Sequence, residues 1–189
     1  LTGRPGVTTR QSTTLGGFNS GIGIDDNLGN FTHTLGTDNA ALWEVDLAGT
    51  FDIAEIIIYN RTSCCGSRLR DINVAILDMS GEGEEILWEI ELLNPENEMG
   101  AFPLGPPELR LDLVDLDGAP VAGRVVRITR TPDDDLSGSG GQGNADEANV
   151  LSLGEVEIFE LPECPAPEDP DYGDRSEERR VGKECRSRW

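Results

Sequence analysis

The sequence has almost no lysine or histidine, and it lacks any long apolar run. Lys183 is its only lysine and His33 its only histidine. The most apolar stretch, IAEIIIY, is far shorter than the roughly 20 residues of a membrane-spanning helix. One histidine, without a cysteine ligand pattern or a nearby serine nucleophile, argues against zinc sites and hydrolytic triads. The sequence therefore predicts neither a membrane-inserted protein nor an enzyme.

Positive charge is also scarce. The 189 residues carry 36 acidic and 15 basic side chains, which gives a formal net charge of -21. Such a surface repels phosphate groups, so we exclude nucleic acids and anionic membranes as partners. Outside the C-terminal tail every basic residue is arginine, which suggests a bacterial source with a GC-rich genome.

The C-terminal tail, residues 175–189, differs from the rest of the chain. Its sequence, RSEERRVGKECRSRW, is basic, and it resembles a translated sequencing adapter of the kind found in metagenomic reading frames. A natural basic tail is the alternative. Residues 163–174 are rich in proline and acid and predict a linker. We therefore expect one domain over residues 1–162. We also expect it to be part of a longer parent chain, with the other domains of that chain as partners.

Helix signals are weak, whereas short strand-like segments recur between glycine, proline, asparagine and aspartate. Trp43, Val45 and Leu47 alternate with polar positions, as in a half-buried strand, and Ile56–Ile58 suit a strand covered on both faces. This pattern predicts an all-β protein, a β-sandwich. The predicted strands are 41–49, 51–60, 71–78, 85–92, 109–116, 123–131 and 150–161.

Residues 93–108 and 131–149 have the composition of loops. Gly138, Gly140 and Gly143 fit a GxGxxG pattern, but the surrounding acidic residues would repel a nucleotide phosphate. A Ca²⁺-binding loop and a plain solvated loop both remain open for this segment.

The most unusual feature is the pair Cys64–Cys65, which lies between Arg61 and Arg68. Adjacent cysteines can close a strained ring, which would imply an oxidising compartment, or they can remain as two buried thiols. Each arginine carries a planar fork of donors suited to paired hydroxyls or ring oxygens. The pattern favours a ligand-binding pocket.

The order of several segments resembles an F-type lectin, or fucolectin, domain, a branch of the galactose-binding-like, discoidin-type jelly rolls. The resemblance covers about residues 6–78 and 150–160. The motif of that family is a histidine, then Arg-x-Asp, four residues and Arg or Lys, and His33, Arg61 and Arg68 match it. The segments that carry the resemblance are QSTTLGG (11–17), DDNLGNFTHT (25–34), ALWEVDLAG (41–49), IIIYNRTSCCGSRLRD (56–71) and LSLGEVEIF (151–159).

This resemblance implies a jelly roll that recognises fucose or a related sugar, with fucosylated glycans as partners. His33, Arg61 and Arg68 would donate hydrogen bonds to the sugar, and a disulfide between Cys64 and Cys65 would stack on it. The family's aspartate is replaced by Ser63, so a relaxed or different sugar specificity is expected. The bridge implies an extracellular or cell-surface location.

The resemblance also implies a structural Ca²⁺. Its ligands would be Asn27, Asn30 and Thr32, partly through carbonyl oxygens, together with Glu155. Hard oxygen ligands of this kind suit Ca²⁺.

Two other functions remain open. The chain could be a structural or adhesion module of a larger extracellular protein that keeps the jelly roll but binds protein or a cell-surface polymer. The loss of the aspartate at Ser63 favours this alternative modestly. It could also be a targeting domain appended to an enzyme such as a glycoside hydrolase.

Overall fold

The computed structural model describes residues 1–79, 83–95, 107–134 and 148–161. The predicted linker at 163–174 and tail at 175–189 lie outside these residues, as does most of the 131–149 loop with its three glycines. The proposed domain division therefore stays a prediction.

Antiparallel β-strands make up most of the regular structure, as the sequence predicts. Within the described ranges there are two 3-10 helices, Ser20–Ile24 and Gly66–Arg68, and one short α-helix. None of the helices among these residues has the length and apolar character needed to cross a membrane. The strands and the α-helix are β1 (Thr8–Gln11), β2 (Leu42–Tyr59), β3 (Ile72–Asp78), β4 (Glu85–Leu93), β5 (Glu108–Asp112), α1 (Leu113–Asp117), β6 (Val121–Arg130) and β7 (Glu155–Glu160).

Strand β2 organises the fold because its two halves pair with different strands, which joins the seven described strands into one hydrogen-bonded network. Its first half pairs with β1 and β6, and the strand order there is β1-β2-β6-β3-β4. Its second half pairs with β5 and β7. The register shifts between Asp46 and Phe51, where Ala48 has a φ of 61° and donates its N–H to Asp46 Oδ1 at 2.8 Å. A bulge of this kind lets a strand turn from one sheet into another, which gives the β-sandwich.

The core lies between the faces of these strands. Trp43, Val45 and Leu47 are buried, as predicted, and so are all three residues of Ile56–Ile58. The other face of the first segment is not fully exposed, because Glu44 is also buried and pairs with Arg10 and Arg127. The indole Nε1 of Trp43 donates to the carbonyl of Ser20 at 2.9 Å. This bond fastens the first 3-10 helix, and the turn that follows it, to the core.

Four of the predicted strand segments need correction. Segments 41–49 and 51–60 form one strand, because the bulge at Ala48 bends the chain without ending the pairing. Segment 109–116 is a strand only to Asp112, whose side chain accepts hydrogen bonds from the N–H groups of Val114 and Asp115 and so starts α1. Segment 150–161 becomes a regular strand only at Glu155.

Residues 151–153 nevertheless have a clear structural role. Thr32 and Thr34 donate their backbone N–H groups to the carbonyls of Leu153 and Leu151, at 2.8 and 3.1 Å. Their hydroxyls accept from the N–H groups of the same two leucines. The two segments are thereby tied side by side, and His33 lies between the two threonines.

Candidate functional site

The Arg61 loop leaves the end of β2 and runs from residue 60 to residue 71. Asn60 Nδ2 donates to the carbonyl of Gly66 at 2.8 Å and closes the loop from inside. The hydroxyl of Thr62 donates to the carbonyl of Leu28 at 3.1 Å. The N–H of Gly154 donates to the carbonyl of Tyr59 at 2.8 Å. These bonds hold the loop against the turn that precedes His33 and against the start of β7.

His33 and Arg68 are in direct contact. Both side chains are buried, and Arg68 Nη1 lies 2.9 Å from His33 Nε2. A guanidinium can only donate, so Nε2 must be the acceptor. The proton then sits on Nδ1, which is 2.6 Å from the carbonyl oxygen of Thr34. The ring therefore presents an acceptor here, whereas the resemblance implies that it donates to the sugar.

Arg61 reaches the same cluster from the other side of the loop. Its Nε and Nη2 donate to Ser63 Oγ at 3.2 and 3.0 Å, and its Nη1 donates to Ser152 Oγ at 3.4 Å. Ser152 in turn donates to the carbonyl of Thr32 at 2.9 Å. Ser63 stands where the family has an aspartate, and it accepts the hydrogen bonds of Arg61 through an uncharged hydroxyl instead of a carboxylate. Ser152 is a residue of the site that the sequence reasoning missed.

The two cysteines lie at the edge of the cluster as thiols. Cys64 is exposed and Cys65 buried, and their sulfur atoms are 2.9 Å apart. Arg61 Nη2 lies 3.8 Å from Cys64 Sγ. Burial, together with the hydrogen bond to Cys64, raises the pKa of the Cys65 thiol. Cys65 also adopts a left-handed backbone with φ of 68°, which is uncommon outside glycine. The predicted bridge between them stays a prediction.

An aromatic stack, Phe18–Phe31, adjoins the polar cluster and was also missed. The rings of Phe18 and Phe31 are 4.7 Å apart between centroids and nearly parallel, at 9°. The guanidinium carbon of Arg61 lies 3.5 Å over the other face of Phe31. The His33 ring is 6.1 Å from Phe18 and 6.3 Å from Phe31. Only the fold shows this contact, because the sequence does not indicate which distant residues meet.

The four predicted Ca²⁺ ligands are distributed around the turn at residues 25–30. Asn27 and Asn30 lie in that turn, and buried Glu155 accepts from the N–H of Asp25 at 3.2 Å. Asp25 was not among the predicted ligands, yet its carboxylate accepts from Asn27 N and Asn30 Nδ2. Thr32 differs, since its hydroxyl and carbonyl already bond to Leu153 and Ser152.

Two observations bear on whether a cation fits this turn. The Oδ1 of Asn30 is buried and has no hydrogen-bond partner. Burial, and secondarily the nearby charges of Asp25 and Asp26, raises the pKa of Glu155 to about 7. A cation would relieve both conditions. Among the described residues no group of three His, Cys, Asp or Glu side chains forms a metal site, so amide and carbonyl oxygens would have to supply much of the coordination.

Comparison with known proteins supports the fold and indicates its relatives. Residues 23–95 match the family model of the NedA-like, galactose-binding domain. A fucose-binding module of Streptococcus pneumoniae, SpX-3, aligns at 27% identity with a TM-score of 0.61, covering 82% of this chain and 94% of that one. No curated protein is a significant match.

Two more distant structures share the fold. The lectin domain of lectinolysin, solved with Lewis B antigen, aligns at 22% identity with a TM-score of 0.60, over 83% of this chain and 94% of that one. An F-type lectin (fucolectin) from striped bass, Morone saxatilis, aligns at 22% identity with a TM-score of 0.56, over 82% of this chain and 46% of that one. These similarities confirm the predicted resemblance, and the chain has the galactose-binding-like β-sandwich fold.

Proposed function

We propose that this domain is a carbohydrate-binding module, not an enzyme, and that it recognises fucose or a related sugar through His33, Arg61 and Arg68. The observation that carries the proposal is the contact between Arg68 and His33 at 2.9 Å beside a second buried arginine, Arg61. Two guanidinium forks and one imidazole in a single cluster provide directed hydrogen bonds for adjacent hydroxyl groups. The likeness to the pneumococcal fucose-binding module supports this choice of sugar.

The strength of binding follows from the number of charged donors. Each hydrogen bond to a charged group contributes about 1.5–3 kcal/mol, and ordering of the ligand offsets part of it. One sugar unit should therefore bind with a dissociation constant between about 1 µM and 1 mM. Useful avidity on a glycan surface would then come from repeated domains in the parent chain.

Cys64 and Cys65 would form a vicinal disulfide in an extracellular or cell-surface setting and present a polarisable surface to the sugar. The 2.9 Å separation of their sulfur atoms supports pairing, since little movement would bring them to bonding distance. Peptide mass mapping tests the bridge, because a peptide that holds both Cys64 and Cys65 is two hydrogen atoms lighter when the two are joined, whatever the state of Cys164 and Cys185. We expect a reductant to weaken sugar binding, whereas unchanged mass and affinity after reduction would count against the bridge.

Ca²⁺ would be held at the turn of residues 25–30 by Asp25, Asn27, Asn30 and Glu155. The ion would neutralise the facing carboxylates and use the buried Oδ1 of Asn30. This turn leads directly into Phe31 and His33. An ion bound at the turn would therefore help to hold these two residues in position.

The deciding experiment is calorimetric titration of the domain with L-fucose and a panel of other monosaccharides, using wild type and Arg68→Ala. We expect Arg68→Ala to lower fucose affinity at least tenfold. Arg124→Ala, which removes an arginine of β6 that bonds to Asp46 of β2, is the matched control and should bind like wild type. Because Arg68 is buried, Arg68→Lys and the unfolding temperature of each variant separate loss of binding from loss of fold.

A structural or adhesion module that binds no sugar is the second candidate. The replacement of the family's aspartate by Ser63 favours it, because a neutral hydroxyl braces Arg61 less firmly than a carboxylate. The same titration decides between the two functions. Absence of heat or chemical-shift change with any sugar in a broad glycan panel would favour the adhesion module.

A further inference from the structure

A group of charged side chains lies on the outer face of β1, β2 and β6. Successive residues of a strand point to opposite faces. Because Trp43, Val45 and Leu47 point into the core, Glu44 and Asp46 point to the other face of β2. Carboxylates on such a face are usually exposed, yet Glu44 is only 5% exposed. Neighbouring side chains on the outer face must therefore cover it.

Two arginines account for the burial of Glu44. Arg10 of β1 and Arg127 of β6 are its direct neighbours in the strand register, one on each side. They form ion pairs with its carboxylate, one with each oxygen. Nη2 of Arg127 also lies 2.7 Å from Oε2 of Glu84, which comes just before β4. These pairs hold the charged groups in fixed orientations across three strands, and we call them the Arg10–Glu44–Arg127 row.

A cleft of about 250 Å³ lies beside this row. Among the described residues, those that line it belong neither to the Arg61 loop nor to the segments around His33. The cleft is therefore separate from the polar cluster of the proposed sugar site. Its walls combine polar and charged side chains with two apolar ones, and they include Thr8, Arg10, Glu44, Glu84, Met79 and Val125.

The charges around the cleft disfavour an ionic ligand. The three carboxylates that line it, Glu44, Asp46 and Glu84, are each already paired with an arginine, so a cation would gain little there. The described residues also hold no group of three side chains suited to a metal ion. An anion would meet these carboxylates in a chain whose net charge is -21. A neutral ligand is therefore favoured.

A ligand rich in hydroxyl groups matches the remaining chemistry. A hydroxyl both donates and accepts, so it can bond to a guanidinium and to a carboxylate. Met79 and Val125 offer apolar surface to the C–H groups of such a ligand. The volume lies just below the roughly 300–1,000 Å³ of pockets for drug-sized molecules, so it suits one small ring. Since the ion pairs fix the side chains beforehand, binding orders few groups.

We propose that this outer-face cleft is a second carbohydrate site, which binds one neutral sugar unit between Thr8, Glu84 and the Arg10–Glu44–Arg127 row. The inference goes beyond the proposed function, because the cleft shares no residue with the cluster of His33, Arg61 and Arg68. One domain with two sites would hold two units of a glycan surface at once. Avidity would then arise within a single domain, without a repeat.

The test is an NMR titration that reads the two sites separately. The methyl group of Met79 reports the cleft, and the ring of His33 reports the polar cluster. The probes are L-fucose and the methyl glycosides of glucose, galactose, mannose and xylose, with inorganic phosphate and methylammonium as charged comparisons. At least one sugar should shift the Met79 signal to saturation, with a dissociation constant of about 1–100 mM. Phosphate and methylammonium should shift it less.

A pair of neighbouring glutamates supplies the variant and its matched control. Glu84→Ala removes a carboxylate acceptor from the cleft and should weaken the binding seen at Met79 at least about fivefold. Glu85→Ala, one residue later at the exposed start of β4, should bind like wild type. Thr8→Leu, at an exposed position of β1, removes a hydroxyl and fills space, so it should also weaken binding. The unfolding temperature of each variant shows whether the fold is retained.

Several results would overturn the second site. These are no shift of Met79 with any sugar, larger shifts with phosphate or methylammonium, and equal weakening by Glu84→Ala and Glu85→Ala. Shifts of Met79 and His33 with the same midpoint for every sugar would also overturn it, because one site would then explain both signals. A shift of His33 alone would leave the proposed function without the second site. A shift of Met79 alone would support the second site and contradict the proposed function.

Discussion

Arg68 Nη1 and His33 Nε2 lie 2.9 Å apart, and the second ring nitrogen of His33 lies 2.6 Å from the carbonyl oxygen of Thr34. The guanidinium donates and the carbonyl accepts, so these two neighbours fix the tautomer of a neutral imidazole with its proton on Nδ1. A sugar hydroxyl that displaced Arg68 from the ring would have to donate to Nε2.

This tautomer is directly measurable. In the sugar-free protein, long-range ¹H–¹⁵N NMR spectra should show a protonated Nδ1 and an unprotonated Nε2 for His33. In Arg68→Ala the donor to Nε2 is gone, so the preference for this tautomer should weaken. A dominant Nε2–H signal in the wild-type protein would contradict the arrangement.

Ser63→Asp should strengthen both the loop and the sugar site. Ser63 Oγ accepts from Nε and Nη2 of Arg61 at 3.2 and 3.0 Å, so a carboxylate there would form a bidentate, charge-assisted pair. We expect fucose affinity to rise several-fold. Ser63→Ala should lower stability by about 0.5–1.5 kcal/mol, the net value of a typical hydrogen bond. Calorimetry and urea unfolding measure the two effects, and weaker sugar binding by Ser63→Asp would count against the bracing role.

Ca²⁺ should stabilise the domain. A ligand that binds only the folded state at about 100 times its dissociation constant adds about 2.7 kcal/mol. The unfolding temperature should therefore rise when millimolar Ca²⁺ is added and fall again with a chelator. Glu155→Gln and Asp25→Asn should each remove most of this response, whereas Asp117→Asn, on α1, should leave it intact. Identical melting curves with and without Ca²⁺ would contradict the proposed Ca²⁺ site.

Gly154→Ala should damage the site through the backbone. A Cβ at this position would lie 2.6 Å from the carbonyl oxygen of Asn60 and 3.0 Å from its carbon. The backbone atoms of Asn60 cannot shift without moving the Arg61 loop. We therefore expect the free energy of unfolding to fall by about 1–3 kcal/mol, as in overpacked cores, and sugar binding to weaken. Gly83→Ala is the control, since its Cβ would meet no atom within 4 Å. Equal stability of the two variants would refute the close approach.

The free energy of unfolding should depend on pH through the carboxyl group of Asp46, which lies at the bulge in β2. Two hydrogen bonds from Arg124, at 2.8 Å each, hold the pKa of Asp46 below its usual value. A lowered pKa means that the ionised form stabilises the fold above about pH 4 and that this contribution disappears as the pH falls through the folded-state value.

A comparison of Asp46→Asn with wild type tests the direction of this pH dependence. The variant should be less stable at pH 7, and the difference should shrink toward pH 2 to 3. Asp52→Asn, at an exposed position of the same strand, is the control for the removal of a carboxylate. A difference that grew on acidification would contradict the assigned role of Arg124.

The sequence predicted those parts of the molecule that depend on local pattern. Alternation at Trp43, Val45 and Leu47 and the run Ile56–Ile58 identified the central strand and its buried faces correctly. Its continuity was missed, because the Ala48 bulge looks like a turn when only composition is read. The end of β5 was missed for a related reason, since Asp112 fits a strand and a helix cap equally well.

The candidate site was also predictable only in part. The family motif brought out His33, Arg61 and Arg68, and the fold places them in one cluster, although their role in binding is still a prediction. The Phe18–Phe31 stack and the bond from Arg61 to Ser152 join residues that are distant in sequence. Such contacts depend on how the loops lie across the sandwich, which a single sequence does not reveal.

The pairing of β2 with four other strands also has a consequence for folding. Its 18 residues give partners to β1, β6, β5 and β7, so neither layer can detach while the other stays intact. The domain should therefore unfold as one cooperative unit, without a half-folded intermediate. Most pairings of β2 join segments far apart in the chain, which makes a slow, high-contact-order folding reaction the expected kinetic behaviour.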